Sequence, residues 1–279
     1  MMLSGNFFAA SGAAPSLTLS LLSVLYLIAS VCVYLALISQ ISTRRNVSAA
    51  DAPERTFGFP EAILATVLIL FFLMTISSTA PDPSLQFTPR NLLANLVLTA
   101  LVVLVIVALL QFRGFDLGAL AGFFRMTFFR ALATGAMLLF FAYPLIVLSE
   151  AMNQRFFGGD SSKQSIVEFF SGSRTIEERI MIIVFAIAIA PVVEEFVFRF
   201  FIYGVLKRYF GWIAGVILSA GLFAAAHAHF PSFVPLLILG SCFAIAYEWS
   251  GSILVSMTMH SLFNSLTLIA LAFPETFSQ

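Results

Sequence analysis

Long apolar runs recur along this chain, near residues 16–40, 61–80, 92–112, 131–149, 180–206, 212–230, 233–247 and 252–273. A helix that crosses a bilayer needs about 20 mostly apolar residues at 1.5 Å rise each. Seven of the eight runs come close to that length, the one at 233–247 is short enough to doubt, and together they fill most of the chain. Composition removes the competing classes. Hydrophobic residues make up 60% of the 279 and charged residues 10%, where a soluble domain carries about 25% charge. Such a chain could not cover its own surface with charge, which excludes a soluble globule, a disordered chain and a nucleic-acid module. Fourteen basic and fourteen acidic residues cancel, so no nucleic acid is expected as a partner. Cys32 and Cys242 stand in separate apolar runs, with no disulfide framework and no zinc-knuckle spacing. The expected fold is all-α: a polytopic transmembrane helical bundle of about eight spans, surrounded by lipid, with an intramembrane polar cavity.

Ser16, Pro60 and Ser252 are suitable helix starts. Residues 117–130 carry Arg125 and Arg130 along an apolar background and read as an interfacial amphipathic helix. The polar stretch from Glu150 to Arg179 reads as an exposed loop with room for a short helix. No internal repeat is visible. Residues 1–179 thus hold N-terminal helices with an interfacial segment and a polar loop, and residues 180–279 hold the remaining spans, in one membrane-embedded unit. No Lys or Arg precedes the first run, so a cleaved signal peptide is not expected. Basic residues in short loops set orientation. Eight of them fall on the side of Arg44, Arg113 and Lys207, against five on the side of Arg90. That bias puts both termini outside and the loop at Lys207–Gly211 in the cytoplasm.

Ionisable groups inside a span cost about 2.5–3.5 kcal/mol each on insertion scales, so each is a functional candidate. Here they are confined to the C-terminal third. The fifth run holds Glu194, Glu195 and Arg199; His227 and His229 come late in the sixth; His260 lies in the eighth, with Asn264 one turn on. Glu195 and Arg199 are i and i+4 with the acid first, the favourable order for an ion pair. Glu194 points about 100° away from Glu195 and lacks that partner. One carboxylate is neutralised, and the other is free to act as a base. Measured from Lys207, Gly211 and Gly251, the depths of Glu194, His227, His260 and Asn264 are about 20, 24, 13 and 20 Å. Three helices thus bring polar groups to overlapping levels. A carboxylate and an imidazole sharing a water can deprotonate it for attack on a carbonyl, and a second imidazole with an amide can hold the oxyanion. Peptide hydrolysis needs those parts.

The strings EEFVFR (Glu194, Glu195, Arg199), FAAAH (Phe223, His227) and HSLFN (His260, Asn264) resemble the EExxxR, FxxxH and HxxxN motifs of the CAAX-protease and bacteriocin-processing family, which includes the type II CAAX prenyl endopeptidases. The resemblance covers about residues 180–272, with APVVEE and YEWSGS in agreement. It makes 180–279 a CAAX-protease-like catalytic core. What it implies is an intramembrane glutamate-type endopeptidase, with Glu194 and His227 activating water, His260 and Asn264 as an oxyanion site, and Glu195, Arg199 and Phe223 in support. It further implies a membrane-associated protein or lipopeptide substrate, CAAX-type C-terminal processing, no cofactor, and a multi-pass position in the plasma membrane of a prokaryote with the cavity facing the cytoplasm. One departure is visible: Phe200 follows the motif arginine where the family commonly has glycine.

Two histidines and a carboxylate also suit a catalytic zinc with an open position. HExxH is absent, and the ligands would come from three helices, so zinc ranks second. Ser256 and His260 are i, i+4 but have no third group. No aspartate lies within a span, which excludes an aspartyl intramembrane protease. A transporter or a non-proteolytic scaffold remains a different class of reading. Polar groups confined to one half count against a transporter. His229 reads as an interfacial or capping residue, and Glu248 as an ordinary acid at a span end.

Overall fold

The computed structural model describes residues 17–48, 56–78, 89–157, 176–227 and 230–273. Each of the eight apolar runs holds a helix. α1 is Leu17–Ser48, α2 Phe59–Ser78 and α3 Pro89–Phe112. A four-residue turn of helix, α4 (Leu117–Leu120), precedes the long α5 (Phe128–Phe157). α6 runs from Ile176 to Phe210, and α7 (Trp212–Ala226), α8 (Phe233–Ser250) and α9 (Ile253–Ala272) follow. No strand occurs among the described residues. Among the described residues six helices are long and apolar enough to cross a membrane; α2, apolar through Thr75, and α7 are shorter. The protein is an all-α, multi-pass integral membrane protein.

Four expectations need correction. The seventh run, thought shortest, forms an 18-residue helix, whereas the sixth stops at Ala226 after 15. α6 is longer at both ends than 180–206. The interfacial helix over 117–130 does not form: α4 ends at Leu120 and turns lead into α5. Gly122 takes φ +69° there, and a Cβ on it would lie 1.9 Å from the Gly251 carbonyl oxygen. The chain must pass over the α8–α9 corner at this point, which a continued helix could not do. Ile253 N–H donates to the Ala121 carbonyl at 3.0 Å, fastening the crossing. The polar stretch after Glu150 continues α5 to Phe157; residues 158–175, together with His229, Arg55, Lys163 and Arg174, lie outside the described residues.

α8 is the centre of the bundle. It packs on α7 along one side and on α5 and α9 along the other, and α1 lies across α5 and α8. Leu236, Leu239, Phe243, Ala244 and Ala246 of α8 are buried. Polar ties hold long helices in register: the Tyr34 hydroxyl donates to the Leu138 carbonyl at 3.0 Å, and the Thr258 hydroxyl donates to the Ala131 carbonyl at 3.1 Å. With lipid outside, such hydrogen bonds and close packing must replace the hydrophobic drive of water-soluble folding. α3 is peripheral. Leu93, Val97, Leu101 and Leu104 point outward, as a lipid-facing helix requires, and its inner face meets α2, α4 and α6 only sparsely. α6 and α7 form a hairpin closed by Gly211 alone, at φ +82°, so the cluster on α6 and the end of α7 are set by one tight corner.

Replacing Gly122 by Ala should lower stability by at least about 1 kcal/mol, from the left-handed backbone cost alone. Gly221→Ala, where a Cβ meets nothing within 4 Å, should leave stability unchanged or raise it. Thermal midpoints in detergent compare the two, and equal midpoints would contradict the described corner.

Candidate active site

α6 departs from α-helical geometry twice, in π turns at Phe185–Ile189 and Glu195–Ile202. Such turns are rare and collect at functional sites. Pro191 explains the first. It has no N–H, the Ala190 N–H reaches back to the Phe185 carbonyl, and the residue five beyond Ala186 is Pro191 itself. The Ala186 carbonyl therefore needs a donor from elsewhere. Asn264 of α9 supplies it: Nδ2 donates to Ala186 O at 2.8 Å.

The second π turn contains the Glu195–Arg199 pair. Widening the turn beyond 3.6 residues brings i and i+4 closer into line, and Arg199 Nη1 lies 3.0 Å from Glu195 Oε1 with both side chains fully buried. Arg199 Nη2 donates to the Gly240 carbonyl at 3.4 Å. Its guanidinium stands 4.0 Å from the centroid of Phe223 and 5.2 Å from that of Phe243. A buried cation is tolerable only with such partners: a counter-charge, a carbonyl and aromatic faces.

Glu195 Oε1 also accepts from His260 Nδ1 at 3.0 Å. A carboxylate without a proton only accepts, so Nδ1 carries the hydrogen and the His260 tautomer is fixed. The ring stacks on Phe243, centroids 4.9 Å apart. Its other nitrogen, Nε2, faces Glu194 Oε2 at 3.8 Å. That is too long for a direct hydrogen bond. Glu194 Oε2 is buried with no hydrogen-bond partner among the described residues. Orphaned buried oxygens are rare and mark places where a ligand or water is held.

His227 ends α7 as its C-cap. Its Nδ1 sits 2.8 Å from the Phe223 carbonyl, which cannot donate, so Nδ1–H is the donor and Nε2 is left as the basic nitrogen. Its ring meets Phe223 edge-on at 4.6 Å. Glu194 and His227 line one cavity of about 330 Å³, walled by Phe71, Phe72, Phe185 and Val197. This falls in the usual range for ligand sites, about 300–1,000 Å³.

Glu194, Glu195, Arg199, Phe223 and His260 thus meet in one cluster, and His227 joins it through the Phe223 ring and the shared cavity. His260 and Asn264 do not line that cavity; Asn264 has one amide hydrogen committed to Ala186. Ser256 is buried and its hydroxyl donates to the Ile253 carbonyl at 3.1 Å. Phe200 is buried and stacks on Phe196 at 4.9 Å. Among the described residues no three His, Cys, Asp or Glu side chains gather within reach of a single metal ion. Three polar residues of the cavity wall went unnoticed in the sequence: Thr75 of α2, and Asn95 and Thr99 of α3. The interruption of the 92–112 apolar run by Asn95 and Thr99, at i and i+4, was the available signal.

Fold and site together define a polytopic membrane protein with a buried carboxylate–imidazole centre at a helix distorted by π turns. Residues 176–266 match the family model for type II CAAX prenyl endopeptidase Rce1-like proteins. The chain is 33% identical over 102 residues to the membrane-embedded CAAX protease MroQ of Staphylococcus aureus (strain USA300), an alignment covering 34% of this chain and 41% of the relative. The aligned segment spans about two fifths of that relative's length. No solved structure matches. Through its C-terminal third, the chain is similar to the CAAX protease family.

Arg199→Met should destabilise by about 3–5 kcal/mol, because it strands the Glu195 carboxylate. Adding Glu195→Gln removes the stranded charge and should recover much of the loss. Denaturant unfolding in mixed micelles reads both; strictly additive losses would mean that the two side chains do not form the buried pair.

Proposed function

We propose that this protein is an intramembrane endopeptidase in which Glu194 activates the attacking water. The observation that carries the reading is the dual position of Glu194. Its Oε2 lies 3.8 Å from His260 Nε2, and its side chain opens with His227 on the same cavity. A water between carboxylate and imidazole gives its proton to Glu194 as its oxygen bonds to the scissile carbonyl carbon. Glu194 then passes that proton to the amide nitrogen as the C–N bond breaks. His260, its Nδ1–H anchored on Glu195, turns Nε2 toward the reacting carbonyl, and in its doubly protonated form donates from Nε2 to the oxygen as it gains charge. His227, its Nδ1–H held by the Phe223 carbonyl, presents Nε2 to the same water. General acid–base help of this kind is worth about 10²–10⁴-fold.

Asn264 enters this reading as a positioning residue. Its amide ties α9 to the Ala186 carbonyl and so holds the first π turn, five residues ahead of Pro191, at the angle that aims Glu194. Glu195, Arg199 and Phe223 fix His260. The wall contributed by α2 and α3 gives the N-terminal half a part in substrate binding. Its phenylalanines, leucines and valines suit an apolar, membrane-associated peptide or lipopeptide, and CAAX-type processing near a C-terminus fits such a substrate.

The test is cleavage of a fluorogenic lipopeptide by purified protein, wild type against Glu194→Gln, His227→Ala and His260→Ala, with and without a chelator. The expected result is chelator-resistant hydrolysis that falls by at least about 100-fold in Glu194→Gln. Activity abolished by chelator and restored by zinc would replace this mechanism with the metal reading. Full activity in Glu194→Gln would end the protease proposal.

A further inference from the structure

A second cavity, of about 490 Å³, opens at the other end of α6. Thirteen residues, or about 20 Å of helix, separate Lys207 from Glu194, so this cavity is not part of the candidate active site. Its wall carries Arg45 of α1, Arg125 of the turn after α4, and Lys207 and Arg208 of α6, against Glu248 of α8 as its one acid. Four cations and one carboxylate leave three positive charges concentrated in a chain whose total is zero. Like charges at this density repel unless an anion joins them.

The cluster is built rather than scattered. Glu248 is nearly buried and orients two of the cations: Lys207 Nζ lies 2.7 Å from Oε2, and Arg45 Nε lies 3.3 Å from Oε1. The Tyr203 hydroxyl donates to Glu248 Oε2 at 2.8 Å, fixing the carboxylate from a third side. Arg125 is laid over Gly251. That residue has φ +65°, and a Cβ there would come within 2.7 Å of Arg125 Nη1, so the missing side chain makes room for the guanidinium. Arg125 and Arg208 are exposed, and neither makes an ion pair with a described residue. Phe124 beside Arg125, and Tyr209 and Phe210 beside Arg208, point their rings outward. Cations with neighbouring exposed rings mark the depth of a membrane–water interface, where headgroup phosphates lie.

We propose that this cavity binds a phosphate group, with Arg125 and Arg208 as the recognising guanidiniums and Lys207 and Arg45 held in place by Glu248. Arginine forks match phosphate oxygens in pairs, and the cavity has room for a headgroup. The same chemistry is offered by a phospholipid headgroup at the bilayer edge and by a soluble phosphate, and the experiment separates them.

The full chain in detergent is titrated with dioleoyl phosphatidic acid, with inorganic phosphate, and with uncharged dioleoylglycerol as control. Thermal midpoint and native mass spectrometry are the readouts. The wild type is compared with Arg125→Gln/Arg208→Gln, whose unliganded midpoint should equal that of the wild type. The proposal expects binding of phosphatidic acid that weakens at least about tenfold in the double variant and declines with salt. Competition by inorganic phosphate identifies a soluble phosphate as sufficient; its failure to compete identifies a lipid headgroup. Equal binding of phosphatidic acid by variant and wild type, equal response to the uncharged lipid, or no binding of either phosphate probe overturns it. None of these readouts depends on proteolysis, so the fate of the peptidase reading does not decide this one.

Discussion

The structure depends on the burial of one arginine. Arg199 has no access to solvent in a helix that crosses the apolar layer, a placement that would be prohibitive without compensation. Glu195 supplies the counter-charge, the Gly240 carbonyl an acceptor, and the rings of Phe223 and Phe243 their negative faces. Those partners come from α6, α7 and α8. Satisfying one cation therefore fixes three helices against each other at the level of the site. The surplus capacity of Glu195 Oε1 then accepts from His260 of α9, which adds a fourth helix. The arrangement is a structural requirement first, and the orientation of His260 follows from it.

The adjacent glutamates divide their work because of backbone geometry. Glu195 begins the second π turn and faces the core, while Glu194, on the preceding turn, faces the cavity. A helix that must hold a charge pair inward and a base outward from consecutive positions has little freedom, and the π turns on both sides of Pro191–Glu194 supply it. Asn264 closes the carbonyl that Pro191 leaves open. The amide of the third motif thus touches the site through the backbone of α6.

Much of this is legible in the sequence. Apolar length fixed the helices, because a bilayer imposes one ruler on every span. The i, i+4 spacing of Glu195 and Arg199 gives their pairing, and the ionisable residues of the C-terminal third are the ones that cluster around it. Other features were not legible. Periodicity assumes 3.6 residues per turn, so the π turns were invisible although Pro191 stood in the string. Helical spacing orders residues on one helix and says nothing about which faces of different helices meet; hence His260 was paired with Asn264, its own neighbour, when its strong contact is Glu195. The amphipathic pattern of 117–130 does not become a helix because Gly122, inside it, is required to pass Gly251. The polar side of α3 escaped notice because neutral residues such as Asn95 carry no charge to flag them.

The central claim is that Glu195 holds His260 by Nδ1 and leaves Nε2 toward Glu194. With three histidines in the chain, nitrogen-15 NMR of histidine-labelled protein can resolve each ring, assigned by single His→Gln variants. The account predicts a protonated Nδ1 on His260, with a resonance that moves when Glu195 becomes Gln, and a protonated Nδ1 on His227 that does not. A neutral His260 ring protonated on Nε2, or one indifferent to Glu195→Gln, would contradict it.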